Sequence, residues 1–196
     1  SIMEETRPGE YFPVYENERG TFIFNSKDLC MIEHIPDLIR AGIDSFKIEG
    51  RMKTALYVAT VARTYRKAID DYFQDPKVYQ EHMDWYRDQI SNCTYRLFTT
   101  GFFYGKPGAE AQIYDSNTYV KEYTYLGIIG EPNERGFYRI SQRNKFSVGE
   151  TIEVMKPSGE NIEVQVKGIY DQEGNAMESA PHPKQILYLD LGLKLE

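Results

Sequence analysis

Apolar and polar positions divide the chain into two textures. Thr21-Phe22-Ile23-Phe24 is a short continuous apolar run of the kind made by a strand buried on both faces. Asn25, Ser26 and Asp28 then offer helix-capping side chains. Leu29, Ile32, Ile35, Leu38 and Ile39 recur at helical spacing, with Pro36 marking a break or a fresh first turn and Gly42 an end. Residues 43–49 alternate in the strand period, Ile43, Ser45, Lys47 and Glu49 on one side and Asp44, Phe46 and Ile48 on the other, before Gly50 permits a sharp turn. After Lys53, Leu56, Ala59, Ala62, Tyr65, Ile69 and Tyr72 trace one face of a long helix that Asp75-Pro76 interrupts, and another helix is expected over about 77–92. Two strand–helix units in succession predict α/β architecture with parallel strands, because parallel strands need a crossover. Two units do not close a barrel, so they form either a small parallel sheet or the end of a larger βα barrel.

From about residue 93 the texture changes. Gly101, Gly105, Pro107 and Gly108, with Phe102, Phe103 and Tyr104 among them, read as a connector. Runs near 119–130, 136–141, 150–156, 161–170 and 185–191 then alternate or favour β-branched and aromatic residues, separated by Pro132-Asn133, Val148-Gly149, Pro157-Ser158-Gly159 and Glu173-Gly174-Asn175. These predict a small antiparallel β-barrel. The expected organisation is 1–95 as the strand–helix part with helices, whether a small parallel sheet or the end of a βα barrel, 96–116 as a linker and 117–196 as a β-barrel domain.

Composition narrows the function classes. The chain has 196 residues and a net charge of −7, which argues against a protein that coats nucleic acid generally. Cys30 and Cys93 are too far apart in sequence for a zinc pair and too few for a disulfide scaffold, so two free thiols in a reducing cytoplasm are expected. No apolar run approaches the roughly 20 residues of a membrane span, and Ser-Ile-Met-Glu-Glu lacks the features of a signal peptide. A cytoplasmic protein, and a fragment of a longer one, is the expectation. Of 27 aromatic residues, 16 are Tyr, an excess that composition does not explain.

Particular strings carry a family resemblance. Asn25-Ser26-Lys27-Asp28-Leu29, Lys47-Ile48-Glu49-Gly50-Arg51-Met52-Lys53 and Tyr65-Arg66-Lys67-Ala68-Ile69-Asp70 resemble the collagenase-like peptidase family U32. Gly101-Phe102-Phe103-Tyr104-Gly105, and Asn144-Lys145-Phe146-Ser147-Val148-Gly149-Glu150 with Pro157 and Gly159, are similar to that family's C-terminal extension. The resemblance covers the family's C-terminal half. It implies a modified eight-stranded βα barrel whose last two strands carry the Asn-Ser and Lys-Ile-Glu-Gly-Arg segments, followed by a separate β-barrel. The family's cysteine signature lies upstream, and neither Cys30 nor Cys93 sits in a matching context. No cofactor is therefore carried over to this chain, and that of a full-length protein stays open. Members are labelled peptidases, while others act in RNA modification, including hydroxylation of the tRNA wobble uridine and of ribosomal RNA.

Chemistry concentrates around that segment. On a barrel strand Lys47 and Glu49 share a face, and Glu49, Gly50 and Arg51 fall at the C-terminal end, where barrel active sites gather. Glu49 and Lys47 are the catalytic candidates. Arg51, Lys53, Asn25 and Ser26 are the anion- or substrate-binding candidates, Arg51 through paired hydrogen bonds to a carboxylate or phosphate. The plainer alternatives are an internal Lys–Glu–Arg ion network, and helix capping for Asn25 and Ser26. A triad of Ser26, His34 and Asp28 has nothing to orient its imidazole, and His82 and His182 lack metal-ligand spacing, so no metal site is expected. Between Arg40 and Lys67 seven basic residues face two acidic ones, a local +5 that suits an anionic substrate or RNA and equally a solvated helix surface. Tyr119, Tyr123, Tyr125, Tyr138 and Tyr170 of the second part can stack on bases or pack the β-domain.

The main functional expectation is therefore the C-terminal fragment of a peptidase, inactive alone, with a β-domain that binds substrate or partner. The alternative is part of an RNA-modifying protein. Expected partners are a peptide or an RNA, the missing barrel half and a further copy of the chain, without a membrane. Purified 1–196 is expected to leave a collagen-derived peptide intact; turnover with trace proteases excluded would overturn this.

Overall fold

The computed structural model describes residues 1–18, 20–23, 26–93, 97–113, 123–157 and 160–195, with the side chains of Phe22 and Ala109 excepted. The chain divides into two compact units, residues 1–53 with 60–122 and residues 54–59 with 123–196. It is a mixed α/β protein with several small sheets.

In the first unit, β1 (Ile2–Met3) pairs antiparallel with β2 (Tyr11–Phe12), and β3 (Tyr15–Asn17) with β4 (Gly20–Phe22). The strand expected at 21–24 thus belongs to an exposed hairpin, and Phe24 lies outside the described residues. Strand β5 (Asp28–Leu29) runs parallel to β6 (Phe98–Thr99). After a turn of 3-10 helix at Ile32–His34 comes α1 (Ile35–Arg40), with Pro36 in its first turn and Gly42 just beyond it at φ 75°.

Residues 43–50 form no strand. The alternation there is genuine, but a strand exists only where a neighbour completes its hydrogen-bond ladder, and no described strand lies alongside. Phe46 is half-buried against the core of this unit, whereas Lys47, Ile48 and Glu49 are exposed.

Helix α2 (Ala55–Gln74) begins behind Thr54, whose hydroxyl accepts a hydrogen bond from the Tyr57 amide at 3.2 Å. Asp75-Pro76 ends it and starts the next helix. The Asp75 carboxylate accepts from Lys77 N at 2.9 Å and Pro76 occupies the first turn of α3 (Pro76–Glu81), which α4 (Met83–Ser91) follows. The buried face of α2 is Thr60, Val61, Thr64, Ala68 and Asp71, rotated from the apolar stripe read in the sequence. Tyr65, Ile69 and Tyr72 flank it half-buried.

The polar members of that face are all satisfied. Thr64 Oγ1 donates to Thr60 O at 2.7 Å. Asp71 accepts from Tyr86 Oη at 2.5 Å and from Lys67 Nζ at 2.9 Å, and lies 2.8 Å from His82 Nδ1. Around this group Ile32, Ile35, Ala68, Tyr79, Tyr86 and Ile90 form the core. Tyr79 and Tyr86 stack with ring centroids 5.7 Å apart, and Tyr79 Oη donates to Ile32 O at 2.7 Å. Part of the tyrosine excess is thus core packing in which each phenol keeps a partner.

The second unit is built on a five-stranded antiparallel sheet. Its strands are β7 (Gly127–Pro132), β8 (Tyr138–Gln142), β12 (Gly168–Tyr170), β13 (Ala176–Met177) and β15 (Ile186–Asp190), in spatial order β13-β12-β15-β8-β7. A hairpin, β10 (Thr151–Val154) with β11 (Ile162–Gln165), and a short pair, β9 (Phe146–Ser147) with β14 (Ser179–Ala180), accompany it. Alternation decides what is inside: Tyr138, Ile140, Ile169, Leu187 and Leu189 join Phe146, Val164 and Val166 in one core, while the residues between them face outward. The turns use the residues their geometry needs. Asn133 Oδ1 accepts from the amides of Arg135 and Phe137, both at 3.0 Å, and Gly136 has φ 78°. Of the sequence features expected here, 114–122, including Tyr119, and the Ser158-Gly159 turn lie outside the described residues.

Burial raises the Asp71 carboxyl, but the bonds from Tyr86, Lys67 and His82 outweigh it and hold the group below the usual carboxylate range. A depressed folded value means stabilisation that is complete above the unfolded Asp value, about 3.9, and lost as pH falls through the folded one. Asp71→Asn is expected to cost about 1–3 kcal/mol at neutral pH and to flatten the loss of stability on the acid side. Urea melts of both proteins across the acid range test this, and an unchanged acid limb in the variant would assign it to other carboxylates.

Candidate functional site

The segment after α1 carries the charged groups singled out above, and its geometry is local. Glu49 Oε1 accepts from the backbone amide of Arg51 at 2.8 Å, and Lys53 N donates to Gly50 O at 2.9 Å, so residues 49–53 form a tight turn. The Lys47, Glu49 and Arg51 side chains are exposed, and no ion pair joins them among the described residues. The internal Lys–Glu–Arg network is therefore not formed, and neither is a strand face that would align Lys47 with Glu49. Lys53 reaches back instead: its Nζ is 3.8 Å from Asp28 Oδ2, an oxygen shielded from solvent and without a hydrogen bond. Ser26 makes an isolated antiparallel bridge with Gln112, and Asn25 lies outside the described residues.

Most other cations of the +5 stretch are committed. Arg40 pairs with Asp37, Arg66 with Asp70 at 2.5 Å and Lys67 with Asp71 at 2.9 Å, while the Arg63 guanidinium lies 5.7 Å from the Trp85 ring and donates to Gln89 Oε1 at 2.6 Å. Among the described residues Lys47 and Arg51 are left open to an outside anion.

A pocket of ≈ 630 Å³ lies elsewhere in the same unit, lined by Lys27, Cys30, His34, Arg87, Thr99 and Glu110 among others. The guanidinium of Arg87 holds Glu33 through two bonds, 2.7 and 3.0 Å, which keeps the Glu33 carboxyl below its ordinary range. His34 Nδ1 meets Tyr104 Oη at 2.9 Å and stands 3.7 Å from Asp37 Oδ2. The imidazole is thus oriented by residues other than Ser26 and Asp28, and no such triad is assembled. Burial pushes the Cys30 thiol up and the Cys93 thiol up to about 11, so both are neutral at physiological pH and poor nucleophiles. Among the described residues no group of His, Cys, Asp and Glu could hold a metal ion, and no helix is long and apolar enough to cross a membrane.

Sequence spacing does not reveal the Glu33–Arg87 or His34–Tyr104 contacts, whose partners lie 54 and 70 positions apart. One signal was available: an aspartate amid the inward positions of an amphipathic helix, as Asp71 is, needs buried partners.

A helical unit with an exposed basic turn, joined in sequence to an antiparallel β-unit, defines the class of protein. Residues 1–113 match the family described as Peptidase family U32 and residues 121–196 match the Peptidase family U32 C-terminal domain; the chain belongs to peptidase family U32. It is 38% identical over 183 residues to tRNA hydroxylation protein P1 of Bacillus subtilis, covering 93% of this chain and 43% of that one. It is 34% identical over 196 residues to tRNA hydroxylation protein P of Escherichia coli, covering 100% of this chain and 42% of that protein. A protein named collagenase from Porphyromonas gingivalis is 31% identical over 106 residues, 54% of this chain and 29% of its own length. The chain thus spans less than half the length of these relatives.

Neutral, half-buried thiols are expected to react slowly with iodoacetamide in the native protein near pH 7 and faster in urea. Mass mapping of the alkylated sites checks this, and rapid native labelling of Cys30 would show a reactive thiolate there.

Proposed function

We propose that this chain is part of an RNA-modifying protein acting in tRNA hydroxylation, in which the basic turn at 47–53 holds the RNA backbone. One observation carries the choice: three relatives named for tRNA hydroxylation align through both parts of the chain, over 183, 196 and 195 residues, and although a fourth of that name aligns over 105, the protein named collagenase aligns over no more than 106. In this proposal Arg51 and Lys47 take phosphates, Lys53 is steered by Asp28, and Ser26 flanks the site. Glu49 shapes the turn by accepting from the Arg51 amide. The hydroxylation chemistry is assigned to the rest of the longer protein. The family resemblance adds a fold proposal: this part of the chain is the end of a βα barrel in the intact molecule, and the β-unit closes as a small barrel.

The family's description favours a second reading, a peptidase with Glu49 and Lys47 as catalytic groups. Against it stand two raised thiols and the absence, among the described residues, of a joined nucleophile–base pair.

Binding of the full-length protein to tRNA is expected to weaken as salt rises, because bound cations release condensed counterions. Arg51→Ala or Lys47→Ala each should reduce affinity and lower the slope of log K against log salt by about one. Titrations at several salt concentrations measure both. Binding indifferent to these changes, or gelatin cleavage unaffected by RNA, would turn the assignment toward the peptidase.

A further inference from the structure

The outward face of the five-stranded sheet carries an unusual set of side chains for solvent. Register places Tyr170 of β12 opposite Tyr188 of β15, and Tyr188 opposite Arg139 of β8. Phe137 sits at the entry to β8 on the same face. Its ring lies parallel to that of Tyr170, with centroids 4.7 Å apart and planes 8° from each other. Gly168 makes this possible: a Cβ there would stand 2.9 Å from Tyr170 Cε2 and 3.0 Å from its hydroxyl, so the tyrosine ring leans over the glycine toward Phe137. Arg135, from the turn before β8, places its guanidinium carbon 4.7 Å from the Phe137 centroid and 5.3 Å from that of Tyr170.

Among the described residues the arginine and tyrosine polar atoms of this face are uncommitted, while its carboxylates are engaged locally. Among the described residues the guanidinium of Arg135 forms no ion pair, although Glu134 and Glu173 are exposed in the flanking turns. The Asp171 carboxylate is occupied by Asn175, whose amide and Nδ2 each donate at 2.8 Å. Asp190, on the outward side of β15, accepts from Gly192 N at 2.9 Å. The hydroxyls of Tyr170 and Tyr188 make no hydrogen bond among the described residues. Packing alone asks for rings on the inward face; here flat rings and two arginines lie on the outward one, with their hydrogen-bonding edges unclaimed.

We propose that this face, formed by Arg135, Phe137, Arg139, Tyr170 and Tyr188, is a stacking platform for unpaired bases of RNA. A nucleobase offers a flat apolar surface with a polar rim and is tethered to a phosphate, which matches rings, free hydroxyls and arginine forks together. The inference rests on the RNA reading above and assigns that RNA a second contact, chemically distinct from the basic turn at 47–53. With two arginines amid carboxylates, binding here is dominated by stacking and depends only shallowly on salt.

Fluorescence anisotropy of chain 1–196 with a short labelled oligouridine or oligoadenosine tests the platform. Tyr188→Ala and Arg135→Ala are each expected to weaken binding about fivefold or more, whereas Tyr188→Phe, which keeps the ring, retains most of it. Thermal melts of all three variants show whether the fold persists, and Tyr188→Phe with the exposed Arg135→Ala keeps the test informative should Tyr188→Ala unfold. Oligonucleotide binding equal in folded variants and parent overturns the platform, as does a collagen-derived peptide bound in preference to RNA and lost with Tyr188→Ala. If full-length protein binds tRNA through Arg51 but is indifferent to Tyr188→Ala and Arg135→Ala, the platform fails and the RNA reading stands. If neither protein binds any RNA, both fail.

Discussion

Asp71 is a carboxylate with little access to water, and the helical unit is arranged so that it never lacks a partner. An ionised group shielded from solvent costs several kcal/mol unless it is paired and hydrogen-bonded. Tyr86 comes from α4, His82 from the junction of α3 and α4, and Lys67 from one turn earlier on α2. These bonds require α4 to fold back onto α2, and Asp75-Pro76 supplies the reversal. Tyr79 and Tyr86 then stack, and Tyr79 reaches the carbonyl of Ile32, which ties the helices to the segment that begins α1. A polar residue that weakens the apolar stripe in sequence thus sets the orientation of three helices.

The strands and turns of the β-unit were more legible than the helix faces of the first unit, for a physical reason. Where the neighbour of a strand is next in sequence, as for β7 with β8, β10 with β11 and β12 with β13, alternation and turn residues such as Asn133, Gly136 and Gly174 specify the pairing, whereas the pairing of β8 with β15 and of β9 with β14 joins distant segments and was not legible. In the helical unit the sequence identifies helices and their ends but not faces. The stripe Leu56, Ala59, Ala62 counts apolar letters, whereas the true inward face includes Thr60, Thr64 and Asp71, whose polarity is cancelled by bonds that spacing cannot show. Residues 43–49 mark the other limit. Their period is that of a strand, yet pairing depends on a partner, and among the described residues none is aligned with them.

The candidate site was legible in composition and not in geometry. The +5 stretch separates into cations already engaged by Asp37, Asp70, Asp71 and the Trp85 ring, and into Lys47 and Arg51, which are not. Local charge therefore overstated the number of groups available for an anion. The expected alignment of Lys47 with Glu49 failed along with the strand that was to provide it, and Glu49 is instead held to the Arg51 amide. A short turn with two open cations can neutralise phosphates; it does not by itself position a base and a nucleophile.

A chain of net charge −7 looks a poor partner for RNA if electrostatics is the sole source of affinity. Stacking removes that objection, because a base and a tyrosine ring associate without counterion release and gain from a flat, half-buried surface. The tyrosine excess thus has two physically different destinations. Tyr79 and Tyr86 are inside with bonded hydroxyls, and Tyr170 and Tyr188 are half-buried on the outward face with hydroxyls that make no hydrogen bond among the described residues. The distinction lies in the sheet pleat and in Gly168: the inward positions Ile169, Leu187 and Leu189 are aliphatic, the paired outward positions Tyr170 and Tyr188 are aromatic, and the glycine lets one ring lie flat enough to extend a surface toward Phe137. An acidic protein can engage RNA on these terms if charge sits in a few placed arginines and area in rings, which is the distribution this sheet presents.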